Sequence, residues 1–396
     1  MRLILLVVGF LLLFSMEILR VYYIFPFSGS QEGDTIQIAY WINKNIIYIR
    51  LIGLAIVIYP FFYFFNRTTA TVKAILCVVF GFYAVVFYMF NSLIAADSLF
   101  LQPKNKIYLD ATANKVLVKQ LILGVSVNNE SKAYPIEIIG YHQQVRDVVG
   151  GEEVMVTYCT VCRSGRVYSP IVNGKPEKFR LIGMDHYNSI FEDGTTGSWW
   201  RQINGEAVIG ELKGKMLNEI PSSQMTLAEW IELYPDTKIL QRDTIFAQAY
   251  NALSDYDEGT RMGTMERKDS LSWKEKSWIV GVQVGTDAQA YDWIELQKLR
   301  VINDVVGDVP VLIVLSSDSV SHHSYSRILD ADTLVFSYNN SVDYLIDSKT
   351  NSNWKWNGKC TDGPLAGKML RPVQSYQEYW HSWKAFHPQT KQFIGK

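Results

Sequence analysis

Three long apolar runs crowd the first hundred residues, and they constrain this chain more than anything downstream. Leu3 to Phe14 is almost wholly apolar and is followed by Glu17 and Arg20; Ile46 to Phe65 and Val72 to Ala96 are the second and third runs. Crossing a bilayer takes about 20 predominantly apolar residues. An apolar residue favours insertion by roughly 0.3–0.6 kcal/mol, whereas a charge at the helix centre costs roughly 2.5–3.5 kcal/mol. Glu17 and Arg20 fall towards one end of their run, where they can pair or reach the interface. No small-x-small cleavage pattern follows the first run, so it reads as an anchor rather than a cleaved signal peptide. Residues 1–97 are therefore expected to form a membrane anchor of about three transmembrane helices, with the lipid bilayer as partner. Arg2, Arg67 and Lys73 mark the cytoplasmic side, while the first loop holds Glu32, Asp34 and only Lys44. The positive-inside rule then places everything after Asp97 outside the cytoplasm, on the periplasmic side of an inner membrane.

The remainder carries an internal repeat. GVSVNNESKAY begins at Gly124 and GVQVGTDAQAY at Gly281, a spacing of 157; Asp147-Val148-Val149-Gly150 and Asp304-Val305-Val306-Gly307 keep it. A second block, from Gly205 to Lys238, matches the stretch from Gly358 at a spacing of 153, with 13 of 34 positions identical. Typical composition gives about two such identities by chance. Each copy runs through β-branched segments (VLVKQLILGVSV and EEVMVTYC; SWIVGVQV and VPVLIVLS), a glycine-rich stretch and a short helix. Thr226 with Glu229, and Ser375 with Glu378, read as capping boxes, and Pro235 and Pro388 as helix stops. The expected fold is thus N-terminal transmembrane α-helices plus a β-rich α+β soluble region of two tandem, pseudo-symmetric repeats. The first repeat is residues 98–240, the connecting segment 241–277 and the second repeat 278–396.

YCTVCRSG, TTGSWWRQINGEAVIGELKGKML, WIELYPDT and the closing GPLAGKML…YWHSWKAFHP resemble a bacterial family known as domain of unknown function 3179, over roughly Val116 to Lys396. Thr160 stands where that family usually has a proline after the first cysteine. The resemblance implies a fold grouping and no activity.

Charge is near balance, with 38 basic and 39 acidic residues, which gives no nucleic-acid footprint. No nucleophile elbow, P-loop, dinucleotide fingerprint or zinc-protease helix occurs. Four cysteines are too few for a disulfide scaffold, and only Cys159 and Cys162 form a spaced pair. Three chemistries fit that pair. Arg163 and Arg166 beside it suit a thiol–disulfide site. Two thiolates on a turn are also half of a tetrahedral metal site; with Met184 and His186 downstream they would suit copper or another thiophilic ion. In an oxidising compartment they can equally be a structural disulfide. At a spacing of 157 Cys159 and Cys162 fall on Ser316 and Ser319, and at 154 His186 falls on Asn340, so the second copy makes the fold without them. Thr196, Ser198 and Trp200 recur as Thr350, Ser352 and Trp354 and read as structural, and His322-His323 reads as an exposed loop. The leading functional reading is a redox or metal site at Cys159 and Cys162; the alternative is a non-catalytic ligand-binding or assembly module with an inert disulfide.

Overall fold

A computed structural model describes residues 1–263, 265–339 and 343–395. Asn340 lies outside the described residues. Three apolar N-terminal helices precede a β-rich soluble region built from many small sheets. The chain divides into two compact units. The first is Met1–Leu101, Glu177–Arg201 and Glu206–Met216; the second is Gln102–Pro176, Gln202–Gly205 and Leu217–Lys396.

In the first unit the three helices are Arg2–Tyr22, Ile36–Arg67 and Ala70–Tyr88, the last continued by a π-helical turn, Met89–Leu93. All three are long and apolar enough to cross a membrane. Helices in lipid associate through close packing of small residues rather than through burial from water. Gly9 and Gly53 supply that approach: a Cβ on Gly53 would sit 2.6 Å from Leu13 Cδ2. Leu6, Phe10, Leu13, Val57, Leu76 and Tyr83 fill the seam. Glu17 is fully buried, and its main partner is Arg50 of the second helix, whose Nε lies 2.6 Å from Oε1 and Nη2 2.9 Å from Oε2. Arg20, three residues on, is 3.7 Å away. Asn91, on the π turn, accepts from both arginines at 2.8 Å. A four-stranded antiparallel sheet (Phe179–Asp185, Asn188–Asp193, Trp199–Arg201 and Ala207–Ile209) completes this unit. Its Trp199 meets Tyr40 of the second helix edge-on at 5.1 Å.

Two sheets of the second unit each have a glycine beneath a tryptophan. In one, Leu121–Val127 is flanked by Glu130–Pro135 and Ser222–Thr226. In the other, Trp278–Val284 is flanked by Asp287–Asp292 and Ser375–Tyr379. Gly124 and Gly281 sit mid-strand, where any Cβ would overlap the rings of Trp230 and Trp383 respectively. Those indoles are each pinned by an Nε1 bond of 2.8 Å, to Thr237 and to Thr390. Two three-stranded sheets follow the same logic of β-branched runs: Gln144–Val149, Glu152–Cys159 and Ser164–Tyr168; and Val301–Val306, Val309–Leu315 and His322–Ser326. The segment 241–277 is not a solvated tether throughout, since Phe246, Tyr250, Leu253 and Tyr256 enter the hydrophobic core.

Two expectations are corrected. Thr226 does cap the helix Leu227–Leu233, accepting from the Glu229 amide, but Ser375 and Glu378 form no capping box. They lie in the strand Ser375–Tyr379, and the helix Trp380–Phe386 has no side-chain cap. Glu378 turns instead to Arg166, 212 residues away, because a buried guanidinium outcompetes a local cap for a carboxylate. His322 and His323 are not an exposed loop: they begin a strand and are 5% and 8% exposed.

Candidate functional site

The strand Glu152–Cys159 ends at the first cysteine, and Ser164 pairs back against it, so Thr160 to Arg163 form the connection. Both sulfurs are wholly buried and are not joined by a disulfide. Arg163 takes a left-handed backbone (φ 56°) that only the surroundings can enforce. Its guanidinium, fully buried, stacks 3.7 Å from the Trp278 ring and donates to the Tyr256 and Asp257 carbonyls at 3.3 and 3.2 Å. Three successive carbonyls of the turn are held from elsewhere in the chain. Tyr256 Oη donates to Thr160 at 2.9 Å, Lys276 Nζ to Val161 at 2.7 Å and the Tyr379 amide to Cys162 at 2.9 Å. Burial pushes the Lys276 ammonium below its ordinary pKa, and the neighbouring Cys162 and Cys159 sulfurs act in the opposite direction.

Met184 and His186 belong to the first unit, the cysteines to the second. Met184 lies on the strand Phe179–Asp185. His186 sits in a left-handed turn with Nδ1 2.8 Å from Asp185 Oδ1, and that hydrogen bond raises its pKa. Asp185 is further held by Arg201 at 2.7 Å. Among the described residues no group of three or more His, Cys, Asp and Glu side chains is placed to hold a metal ion.

The recurring Thr, Ser and Trp residues surround an aspartate that sequence reasoning missed. Asp193 accepts from Thr196, Ser198 and, at 2.9 Å, from Trp200 Nε1. Asp347 accepts from Thr350, Ser352 and, at 3.1 Å, from Trp354 Nε1. The pair is spaced by 154 residues, the one signal that could have exposed it. These hydrogen bonds hold both carboxyls below the usual range although burial opposes it.

A groove of about 800 Å3 opens in the second unit. Ser222, Ser223, Gln224, Ser324, Asn357 and Gln374 give it hydroxyl and amide groups. Half-buried Tyr234, whose ring centre lies 4.2 Å from that of Trp230, forms part of one wall. His322 Nδ1 and Ser324 Oγ are out of solvent and have no hydrogen-bond partner. Burial pushes the His322 imidazolium pKa down to about 3, so that ring is neutral at physiological pH. His323 Nε2 lies 2.6 Å from Glu229 Oε1, and Ser316 Oγ donates to the same oxygen at 2.7 Å. Serine and imidazole thus compete for one carboxylate oxygen, which is not the relay geometry of a nucleophilic triad. Neither cysteine lines the groove.

Three helices long and apolar enough to cross a membrane, joined to a β-rich region with a buried thiol pair and a polar groove, define a protein of mixed α and β structure. The chain belongs to the family described as protein of unknown function (DUF3179), whose sequence model matches residues 108–390. No curated protein and no solved structure shows significant similarity to it.

Proposed function

We propose that this is a membrane-tethered, extracytoplasmic binding module, made of two tandem pseudo-symmetric repeats, that takes a small ligand in the groove of the second unit. The observation that carries the reading is the groove itself: about 800 Å3, within the range of small-molecule sites, with hydroxyl and amide groups along its lining.

Support for the duplication comes from hydrogen bonds that repeat at the sequence spacings. The Leu227 and Ala228 amides donate to the Gln120 and Val118 carbonyls, and those of Trp380 and His381 to Ser277 and Glu275. Donors are thus spaced by 153 and acceptors by 157. The copies also finish each other's helices. The Tyr379 amide, preceding one helix, bonds to Cys162; the Thr226 amide, preceding the other, bonds to Ser321 Oγ at 2.9 Å. The cysteine turn is then a docking element between repeats 98–240 and 278–396. The loop charges of the helices support an outer, periplasmic placement of these repeats.

A thiol-redox site at Cys159 and Cys162 is the second reading, favoured by Lys276, whose charge would stabilise a thiolate. Against it, neither sulfur is exposed to a partner's thiol. A copper-like site at the pair would have to recruit further ligands, Met184 and His186 being the sequence candidates.

The test uses the full chain in lipid nanodiscs, with a thermal-shift library of charged and neutral compounds run on wild type and on Ser223→Tyr. Ser223 is exposed on the groove wall, so tyrosine there narrows the opening. Compounds that raise the wild-type Tm and leave the variant unmoved are expected. A library in which nothing separates the two folded proteins would overturn the reading. A C-terminal alkaline phosphatase fusion should be active; an inactive fusion with a fluorescent cytoplasmic counterpart would reverse the placement.

A further inference from the structure

The two halves of the second unit differ at one place. The strands Ser164–Tyr168 and His322–Ser326 are equivalent in register: Arg166 pairs with Thr157 and His323 with Val314. Likewise Tyr376 pairs with Gly281 where Ser223 pairs with Gly124. At the first location the long Arg166 side chain stacks 3.5 Å over Tyr376, is bonded to Glu378 and lies 3.8 Å from Glu219. Burial works against that guanidinium's charge, and Glu378, Tyr376 and Glu219 together outweigh it. At the second location the same positions hold His323, Ser223, Met225 and Pro372, and all four line the groove. The groove is thus the counterpart of a space that a stacked, ion-paired arginine fills in the other half.

Removing that plug leaves a lining with little charge. Glu232 is the one carboxylate in it, and Lys355 pairs with it at 3.5 Å. There is no lysine or arginine among the lining residues, so an anionic ligand would find no counter-charge. The lining combines hydroxyls and amides with Tyr234, whose ring is backed by the buried Trp230. An apolar ring face beside several hydrogen-bonding groups is what a pyranose needs, since a sugar presents C–H faces and a hydroxyl edge. The groove-side strand His322–Ser326 is already bonded, Val373 N to Ser324 O at 2.9 Å and Ser326 N to Arg371 O at 2.8 Å, so an added peptide strand has no open edge there.

Building on the groove reading, we infer that the ligand is an uncharged saccharide of two or three rings, seated on Tyr234 with its hydroxyls on Ser223, Asn357 and Gln374.

The experiment is calorimetric titration of the full chain in nanodiscs with tri-N-acetylchitotriose, cellotriose and maltotriose, and with trigalacturonate and a neutral tetrapeptide. At least one neutral trisaccharide should bind, and Ser223→Tyr should weaken it by about tenfold or more, roughly 1.4 kcal/mol. Tyrosine is tolerated by the same strand position in the other half, at Tyr376; should the variant nonetheless misfold, Asn357→Ala serves in its place with the same expected loss. If only trigalacturonate or the peptide binds in a manner sensitive to Ser223→Tyr, the saccharide class falls and the groove reading stands. If nothing binds the folded wild type, or binding ignores both substitutions, the two fall together.

Discussion

Gly124 and Gly281 show why single residues in this chain cannot be read for their own chemistry. Both have ordinary extended backbone, so conformational freedom is not what selects glycine; the faces of Trp230 and Trp383 occupy the space a Cβ would need. Gly124→Ala and Gly281→Ala should each cost about 1–3 kcal/mol, the usual range for overpacking a filled core. Gly81→Ala, in the third helix with nothing within 4 Å, should be close to neutral. Denaturant unfolding of the three variants checks this, and equal midpoints would refute the packing argument. The glycines and tryptophans were legible in the sequence as identities at fixed spacings, but their mutual contact was not. His322 and His323 were illegible for a related reason. A polar doublet among serines looks like a solvated loop, and only the pairing of Val314 with His323 and Leu315 with His322 places it in a sheet.

At the scale of elements, the three long apolar helices were the most legible part, because summed apolar character over about 20 residues can be read without a tertiary partner. The second helix nevertheless runs Ile36–Arg67, ten residues further towards the N-terminus than its apolar run, since its early turns pack Ile36 and Ala39 against the adjoining sheet. Glu17 was read as a partner of Arg20 by proximity in sequence, and Arg50 holds it more closely. Removing one member of a buried ion pair leaves a charge without compensation, whereas removing both can be nearly neutral. Glu17→Leu should therefore lower the thermal stability of the full chain in nanodiscs, and Glu17→Leu with Arg50→Leu should recover most of the loss. A double variant no better than the single one would mean that the pair does not join these helices. Local pattern failed at Ser375 and Glu378, where the sequence satisfies a capping rule and the carboxylate is claimed by Arg166. The groove residues, spread from Gly124 to Ser375, form no motif at all.

For the whole molecule, the pairing of Arg166 with Glu378 and of the Cys162 carbonyl with the Tyr379 amide ties residues near the start of the second unit to others near its end. A chain stopped after Gly263 would leave Arg166 buried without Glu378, its closest carboxylate, and Cys162 without its donor. It should be protease-sensitive, and its Arg166→Leu variant less so; a truncated chain as resistant as the intact protein would show that the first half stands alone. The same tie has a consequence in time. Arg166 precedes Glu378 by 212 residues, and synthesis at about 5–20 residues per second separates them by roughly 10 to 40 s. During that interval the early half holds Arg166 with Glu219, 3.8 Å away, as its remaining carboxylate partner, and with no Tyr379 amide for the Cys162 carbonyl. Its survival then depends on whatever shields nascent chains until the last turns arrive.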